Sequence, residues 1–355
     1  MNARTLAPAL SLALGLAGAA HAQGFADMGA DAEGFAMPER GTEIAFPRDH
    51  GAHPEYRIEW WYLTANLEDA DGTEYGIQWT LFRAANEPGE AEGWASPQVW
   101  IGHAGLTTPD NHHAAERMAR GGIGQAGVTA APFAAWIDDW HMTSAAPDDA
   151  DALDALELAA NAADFGFTLS VEADGPLVFH GDEGYSVKSD SGVASYYYSQ
   201  PHYRAEGVLR LPEGDVAVEG SAWLDREWSS QPLEGAQSGW DWFSLHLGDG
   251  VRLMAAQVRE GPDTDFVAGT WIEDGAATPL DRDDLSLAPL ETAQVAGRDV
   301  PVRWRIELPA RGVDITTEPV NPDSWMDLFI PYWEGPIRVS GSHSGRGFME
   351  LTGYE

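Results

Sequence analysis

From residue 46 onward, short aromatic and β-branched runs alternate with Gly, Asp, Asn and Pro. Residues 57–67 and 75–83 flank Asp69-Ala70-Asp71-Gly72, which reads as strand, turn, strand. The same texture predicts strands over 99–106, 136–143, 153–160, 165–173, 207–211, 216–224, 241–247, 251–258, 268–272, 302–308 and 337–340. Strands at this spacing, with turn residues between them, predict an all-β chain of antiparallel barrels or sandwiches. Helix signals are few. Residues 112–120 are the one short helix expected, with Asp110 and Asn111 as caps and Gly121-Gly122 as its end.

One layout occurs twice. Trp60-Trp61-Tyr62 opens a strand that reaches Leu67, turns at Asp71-Gly72 and returns to Arg83. Trp240-Asp241-Trp242-Phe243 opens a strand that reaches Leu247, turns at Asp249-Gly250 and returns to Arg259. The echo predicts two similar β units packed together. Pro201, Pro212 and Glu213-Gly214 interrupt the pattern, so the expected change between units lies in residues 200–214. The expected domains are 46–205 and 206–355.

The first residues have a different character. Arg4 precedes an apolar run over 6–18, and Ala20-His21-Ala22 is a small-x-small cleavage site. Residues 1–22 read as a secretory signal peptide cut after Ala22, and 23–45 as a flexible lead-in. The protein is therefore expected in the periplasm or outside the cell. No later run of 18 uncharged apolar residues is present, so no transmembrane segment is expected in the mature chain.

Composition narrows the function. Asp and Glu number 57 against 20 Lys and Arg, a formal charge of −37, so nothing can neutralise a phosphate backbone and nucleic acid is excluded as a partner. Hydrophobic residues make up 44% of the chain, which is too apolar for a disordered acidic chain. There is no cysteine, hence no disulfide, thiolate nucleophile or lipid-modified thiol. Lys188 is the single lysine.

The densest block of unusual residues is 222–242. Strand alternation places Trp223, Asp225 and Glu227 on one face and Leu224, Arg226 and Trp228 on the other. Burial beside tryptophan and a second carboxylate would raise the Asp225 pKa. The competing reading makes Asp225, Arg226 and Glu227 a structural ion-pair network. Glu59, beside Trp60 and Trp61, is either a pocket carboxylate or a buried partner of Arg83 or Arg226. Gln78 faces either a ligand or a neighbouring loop. Trp60, Trp61, Trp79, Trp223, Trp228, Trp240, Trp242 and Trp333 fill cores or line an apolar pocket; their clustering at both echo positions favours the pocket.

Other chemistries lack their patterns. His50-x-x-His53 and His112-His113 lack metal-ligand spacing, and no HExxH occurs. Asp148-Asp149-Ala150-Asp151 lacks the Gly and Glu of a calcium loop. Residues 122–127 match GxGxxG without a preceding strand. No GxSxG elbow exists; residues 341–345 carry His343 at the centre, and Ser229-Ser230 alone invites a serine nucleophile. No metal and no cofactor are expected.

Several segments together carry a family likeness. They are residues 46–53, Glu59-Trp60-Trp61-Tyr62, residues 76–83, His103-Ala104, Glu116-Arg117, Gly184-Tyr185-Ser186 and residues 194–199. The strongest are 222–231, 239–243, Tyr332-Trp333-Glu334-Gly335 and Glu350-Leu351-Thr352-Gly353-Tyr354. From about Phe46 to its end the chain resembles the AttH/carotenoid 1,2-hydratase (CrtC-like) family of secreted lipocalin-like proteins, and within it the AttH branch. The resemblance implies two lipocalin-like β-barrel halves meeting near the aromatic blocks, and association with an ABC-type export permease. For the hydratases it implies an acid that protonates a carbon–carbon double bond before water attacks the cation. Their catalytic aspartate falls on Asp225, with Trp223 just before it and the upstream partners near Tyr196 and Tyr198. Here that stretch is Tyr196-Tyr197-Tyr198 and holds no histidine.

Three functions remain open at this point. The chain binds an apolar or amphipathic small molecule, such as a lipid or terpenoid. It is a hydratase-like or isomerase-like enzyme with Asp225 as acid and Tyr196, Tyr198 and Trp223 shaping the cation site. Or it is a non-catalytic partner subunit of a permease.

Overall fold

The computed structural model describes residues 32–231, 233, 237–248, 250–261 and 265–354. The expected signal peptide and the start of the lead-in lie outside the described residues. Among the described residues there is no α-helix, only three single 3-10 turns, so no helix is long and apolar enough to cross a membrane.

The first sheet contains β1 (Ile58–Glu68), β2 (Glu74–Ala85), β3 (Gln98–Thr107), β4 (His112–Arg120), β5 (Ala126–Ala130), β6 (Phe133–Ile137), β7 (Trp140–Ser144), β8 (Ala155–Asn161), β9 (Gly166–Ala173), β10 (Val178–Phe179), β11 (Tyr185–Val187), β12 (Ala194–Leu211) and β13 (Gly214–Ser229). Its order is β4-β3-β2-β1-β13-β12-β9-β8-β7-β6-β5, with β10 and β11 also on β12. The sheet curls into a nearly closed barrel. The second sheet contains β14 (Gly239–Leu247), β15 (Arg252–Arg259), β16 (Phe266–Glu273), β17 (Ala276–Asp281), β18 (Ser286–Val295), β19 (Arg298–Leu308), β20 (Val313–Pro319), β21 (Trp325–Met326), β22 (Tyr332–Gly341) and β23 (Gly345–Thr352). Its order is β17-β16-β15-β14-β23-β22-β20-β19-β18, and it forms a half-barrel. The fold is all-β, antiparallel and lipocalin-like.

Three expectations need correction. Residues 112–120 are strand β4, paired along its length with β3. Asn111, read as a helix cap, instead closes the β3–β4 turn, where Thr108 N donates to its carbonyl at 2.8 Å. The open edge of β3 supplies hydrogen bonds that outweigh a short helix. Residues 136–143 form two strands, because Asp138 takes φ 54° and turns the chain. Residues 200–214 do not separate the sheets. β12 runs through Pro201 by a bulge between Gln200 and Tyr203, the kind of site where proline is tolerated. The chain changes sheet later, between Ser229 and Gly239.

Burial shows how the sheets are used. β9 alternates, with Phe167, Leu169 and Val171 buried and Thr168, Ser170 and Glu172 exposed. β1 and β2 are buried on both faces. In β1, Trp61, Leu63, Ala65 and Leu67 join the barrel core, while Trp60 and Tyr62 face the second sheet. The barrel core and the second core, built around Phe243, Trp304 and Trp333, are thus separated by a contact layer. Gly76 permits the close approach there, since a Cβ at that position would lie 2.5 Å from the Pro336 ring.

The two echo segments are both hairpins, β1–β2 and β14–β15. They repeat an ion pair as well as the tryptophans: Glu59 with Arg83 in the first, Asp241 with Arg259 in the second. Their aromatic faces meet across the layer, where Tyr62 packs edge-on against Trp242 at 5.4 Å between centroids.

Candidate active site

A cavity opens where the echo hairpins meet. The first sheet supplies Trp60, Tyr62, Phe82, Tyr197, Asp225 and Glu227, with Ser186 and Lys188 from the segment before β12. The second sheet supplies Trp240, Trp242, Met254, Ala256, Val258, Phe266 and Glu350. The cavity holds about 100 Å³. An apolar cavity of ~150 Å³ takes one benzene ring. At about two-thirds of that volume, this one encloses only a small group, with the rest of a larger molecule in the mouth.

Asp225 is the centre of the polar side. β12 and β13 pair Ser199 with Asp225 and Tyr197 with Glu227, so these four share one face. Tyr197 donates to Asp225 Oδ2 at 2.7 Å. Trp223 Nε1 donates to Oδ1 at 2.6 Å, and Ser199 also donates to Oδ1. Among the described residues no cation pairs with Asp225; all three partners are neutral. Burial pushes its carboxyl up to about 7, the three hydrogen bonds oppose that, and the Glu227 charge adds to it.

The neighbours extend the network. Trp242 Nε1 donates to the Tyr197 hydroxyl at 3.2 Å. His180 Nε2 stands 2.7 Å from Ser199 Oγ, and its Nδ1 stands 2.8 Å from Thr270 Oγ1 on the second sheet. Burial and the Lys188 charge hold His180 well below its ordinary pKa, so it is neutral. Lys188 pairs with Glu227 at 2.9 Å and lies 4.6 Å from the Tyr197 ring centre. On the opposite wall Trp240 Nε1 donates to Glu350 Oε1 at 2.5 Å. Burial pushes Glu350 up to about 7, against the Trp240 bond and with help from the Asp225 and Glu227 charges.

Not every expected site residue is here. Trp60, Tyr62, Asp225, Glu227, Trp240 and Trp242 line the cavity, and Trp223 bonds to Asp225. Tyr196 and Tyr198 point the other way, into the barrel core. There the Tyr196 hydroxyl donates to the Glu39 carbonyl at 3.1 Å, and Tyr198 stands 2.7 Å from His50 Nδ1. Trp61 and Trp228 are barrel core, and Trp333 is second-sheet core. Gln78 is buried and donates to Thr80 Oγ1 and, at 3.3 Å, to the Tyr332 hydroxyl.

Glu59 and Arg226 form a separate centre inside the barrel end. Glu59 accepts from Arg226 Nη2 at 2.5 Å and from Arg83 Nε. Burial would raise the Glu59 pKa, but Arg83 and Arg226 hold it well below the usual carboxylate range. The Arg226 guanidinium lies 4.0 Å from the Trp61 ring centre and 4.9 Å from that of Trp228. Arg226 therefore serves Glu59 and not Asp225.

The sequence alone assigns no site role to Tyr197, Ser199, His180, Lys188 or Glu350. The β12–β13 register places Tyr197 and Ser199 beside the acids, and the bulge at Pro201 hides that register. Glu350, a carboxylate in an apolar strand, carried a visible signal. Among the described residues no three His, Asp or Glu side chains are placed to hold a metal ion.

The comparisons agree with this fold. The AttH-like family profile matches residues 37–354. The crystal structure of a protein of Nitrosomonas europaea assigned as AttH is 33% identical, with TM-score 0.79, covering 90% of this chain and 99% of that one. Kievitone hydratase of Nectria haematococca is 16% identical with TM-score 0.66, over 91% of this chain and 96% of that one. CghA, in its structure with Sch210972, is 13% identical with TM-score 0.52, over 91% and 97%. The last two show the fold alone. No curated protein matches the chain. The chain belongs to the AttH-like family.

Proposed function

We propose that the inter-sheet cavity binds an apolar or amphipathic small molecule and that Asp225 donates a proton to a carbon–carbon double bond within it. One observation carries this reading. A buried carboxyl that pairs with no cation among the described residues, raised to about 7, lies in a gap of about 100 Å³ lined also by Trp60, Trp240 and Trp242. A carboxyl raised in this way keeps its proton close to neutrality, which is what protonating an alkene needs.

The step balances simply. The alkene π pair forms a C–H bond with the Asp225 proton, leaving Asp225 as carboxylate and the other carbon cationic. The faces of Trp60, Trp240 and Trp242 flank the cation, each contributing about 0.5–2 kcal/mol. Water adding to the cation and returning a proton to Asp225 completes a hydration. Loss of a neighbouring C–H proton to Asp225 completes an isomerisation. The fold shared with kievitone hydratase is compatible with the first outcome; the residues, not the fold, support the reading.

Export belongs to the same proposal. Residues 1–22 direct the chain across the inner membrane, and N-terminal sequencing of cell-purified protein is expected to begin at Gln23. Association with an export permease rests on family resemblance alone.

Binding is tested by tryptophan fluorescence against a panel of terpenoids, polyenes and lipids. A saturable shift that survives Asp225→Asn is expected. A flat response across the panel would contradict the cavity as a binding site.

A further inference from the structure

A second row of polar side chains leaves the cavity at Tyr62, the cross-strand neighbour of Asp225. Tyr62 lines the cavity, and its hydroxyl donates to Glu334 Oε1 at 2.5 Å. Tyr332 adjoins the same carboxyl, whose Oε2 has no hydrogen-bond partner among the described residues. The Tyr332 hydroxyl stands 3.0 Å from His103 Nδ1, and the two rings stack. His103 Nε2 stands 3.2 Å from Glu116 Oε2. Tyr62, Glu334, Tyr332 and His103 are all buried, whereas the Glu116 side chain is 20% exposed.

Each link can both give and take a proton. Tyrosine hydroxyls donate and accept, and neutral imidazole has one nitrogen of each kind. Burial lowers the His103 pKa against the pull of Glu116, so its resting form is neutral. Glu334 has no ion-pair partner among the described residues; Tyr62, Tyr332 and Glu350 surround it. Burial and the Glu350 charge push its carboxyl well above the ordinary range, against the Tyr62 bond and the adjoining Tyr332 hydroxyl. Glu59, by contrast, is paired with Arg83 and Arg226. Glu334 is a neutral acid between two phenols.

We propose that Glu116, His103, Tyr332, Glu334 and Tyr62 form a proton path from solvent to the cavity. One proton enters at Glu116, one leaves the Tyr62 hydroxyl into the cavity, and each intermediate group returns to its starting state. The path would let the cavity exchange protons while a ligand fills its mouth. Glu350, paired in register with Glu334, accepts instead from Trp240. The inference deepens the reading of the cavity as a proton-transfer site, but its test reads exchange and not turnover, so the two can fail separately.

The experiment is rapid-mixing infrared spectroscopy of the full protein near pH 6. The protonated-carboxyl C=O band removed by Glu334→Gln is assigned to Glu334, and the one removed by Asp225→Asn to Asp225. On mixing with D2O, His103→Leu is expected to slow the shift of the Glu334 band by about tenfold or more, leaving the Asp225 band at its wild-type rate. A Glu334 band exchanging at the wild-type rate in His103→Leu, or no band lost in Glu334→Gln, overturns the proposal. If His103→Leu does not fold, Glu116→Gln at the surface decides. A slowing of about threefold supports the path, and an unchanged rate overturns it.

Discussion

The Tyr197 hydroxyl donates to Asp225 Oδ2 at 2.7 Å while accepting from Trp242 Nε1 at 3.2 Å. One phenol thus ties the acid of the first sheet to an indole of the second. Removing it with Tyr197→Phe leaves the Trp242 N–H without its acceptor, at a cost of about 1–3 kcal/mol. It also removes a donor that favours the Asp225 carboxylate, so the Asp225 pKa is expected to move up from about 7. Infrared titration of the Asp225 band checks the direction; a downward shift would contradict the arrangement.

Asp225 links stability to pH. Its pKa is about 7 in the fold against a model value of 3.8, so the native state binds more protons between those values. Its contribution is fully present below about pH 4 and is lost as pH rises through about 7. The facing groups are Glu227, Lys188, Tyr197 and Glu350. Urea unfolding of wild type and Asp225→Asn should therefore show the variant gaining relative stability from pH 5 to 8. A constant difference would mean that Asp225 is ionised throughout.

Glu59 should behave as a core group. Glu59→Gln leaves Arg83 and Arg226 buried without their counter-charge, which costs about 3–5 kcal/mol. Ligand-induced fluorescence shifts of the remaining folded protein should persist. Lost binding with intact stability would place Glu59 in the site after all.

The contrast between Glu59 and Asp225 shows what the sequence could reveal. Both are carboxylates next to tryptophan, and composition cannot tell them apart. Alternation along residues 222–228 separates the Asp225 face from the Arg226 face, and the double Trp layout marks the two hairpins that meet. What a single sequence hides is register. Tyr197 and Ser199 lie opposite Glu227 and Asp225 because β12 pairs with β13 across a bulge at Pro201, and that pairing is a long-range choice. The same limit explains residues 112–120. Their cap and stop residues fit a helix until the edge of β3 is available to pair with them.

Lys188 offers a direct reporter, since it is the chain's single lysine and lies on the cavity wall. Reductive methylation with labelled formaldehyde should give one side-chain NMR signal. That signal is expected to move when a ligand binds and to stay fixed with molecules that leave tryptophan fluorescence unchanged. A signal indifferent to a bound ligand would place binding elsewhere.

Proton donation to carbon is tested most directly in D2O. Wild-type protein is incubated with unsaturated ligands that it binds, and the recovered molecules are weighed by mass spectrometry. The account predicts a new C–D bond in at least one ligand with wild type, and its loss by about a hundredfold or more with Asp225→Asn, which still binds. Recovery of every bound ligand without deuterium, or equal labelling by Asp225→Asn, would contradict Asp225 as the proton donor.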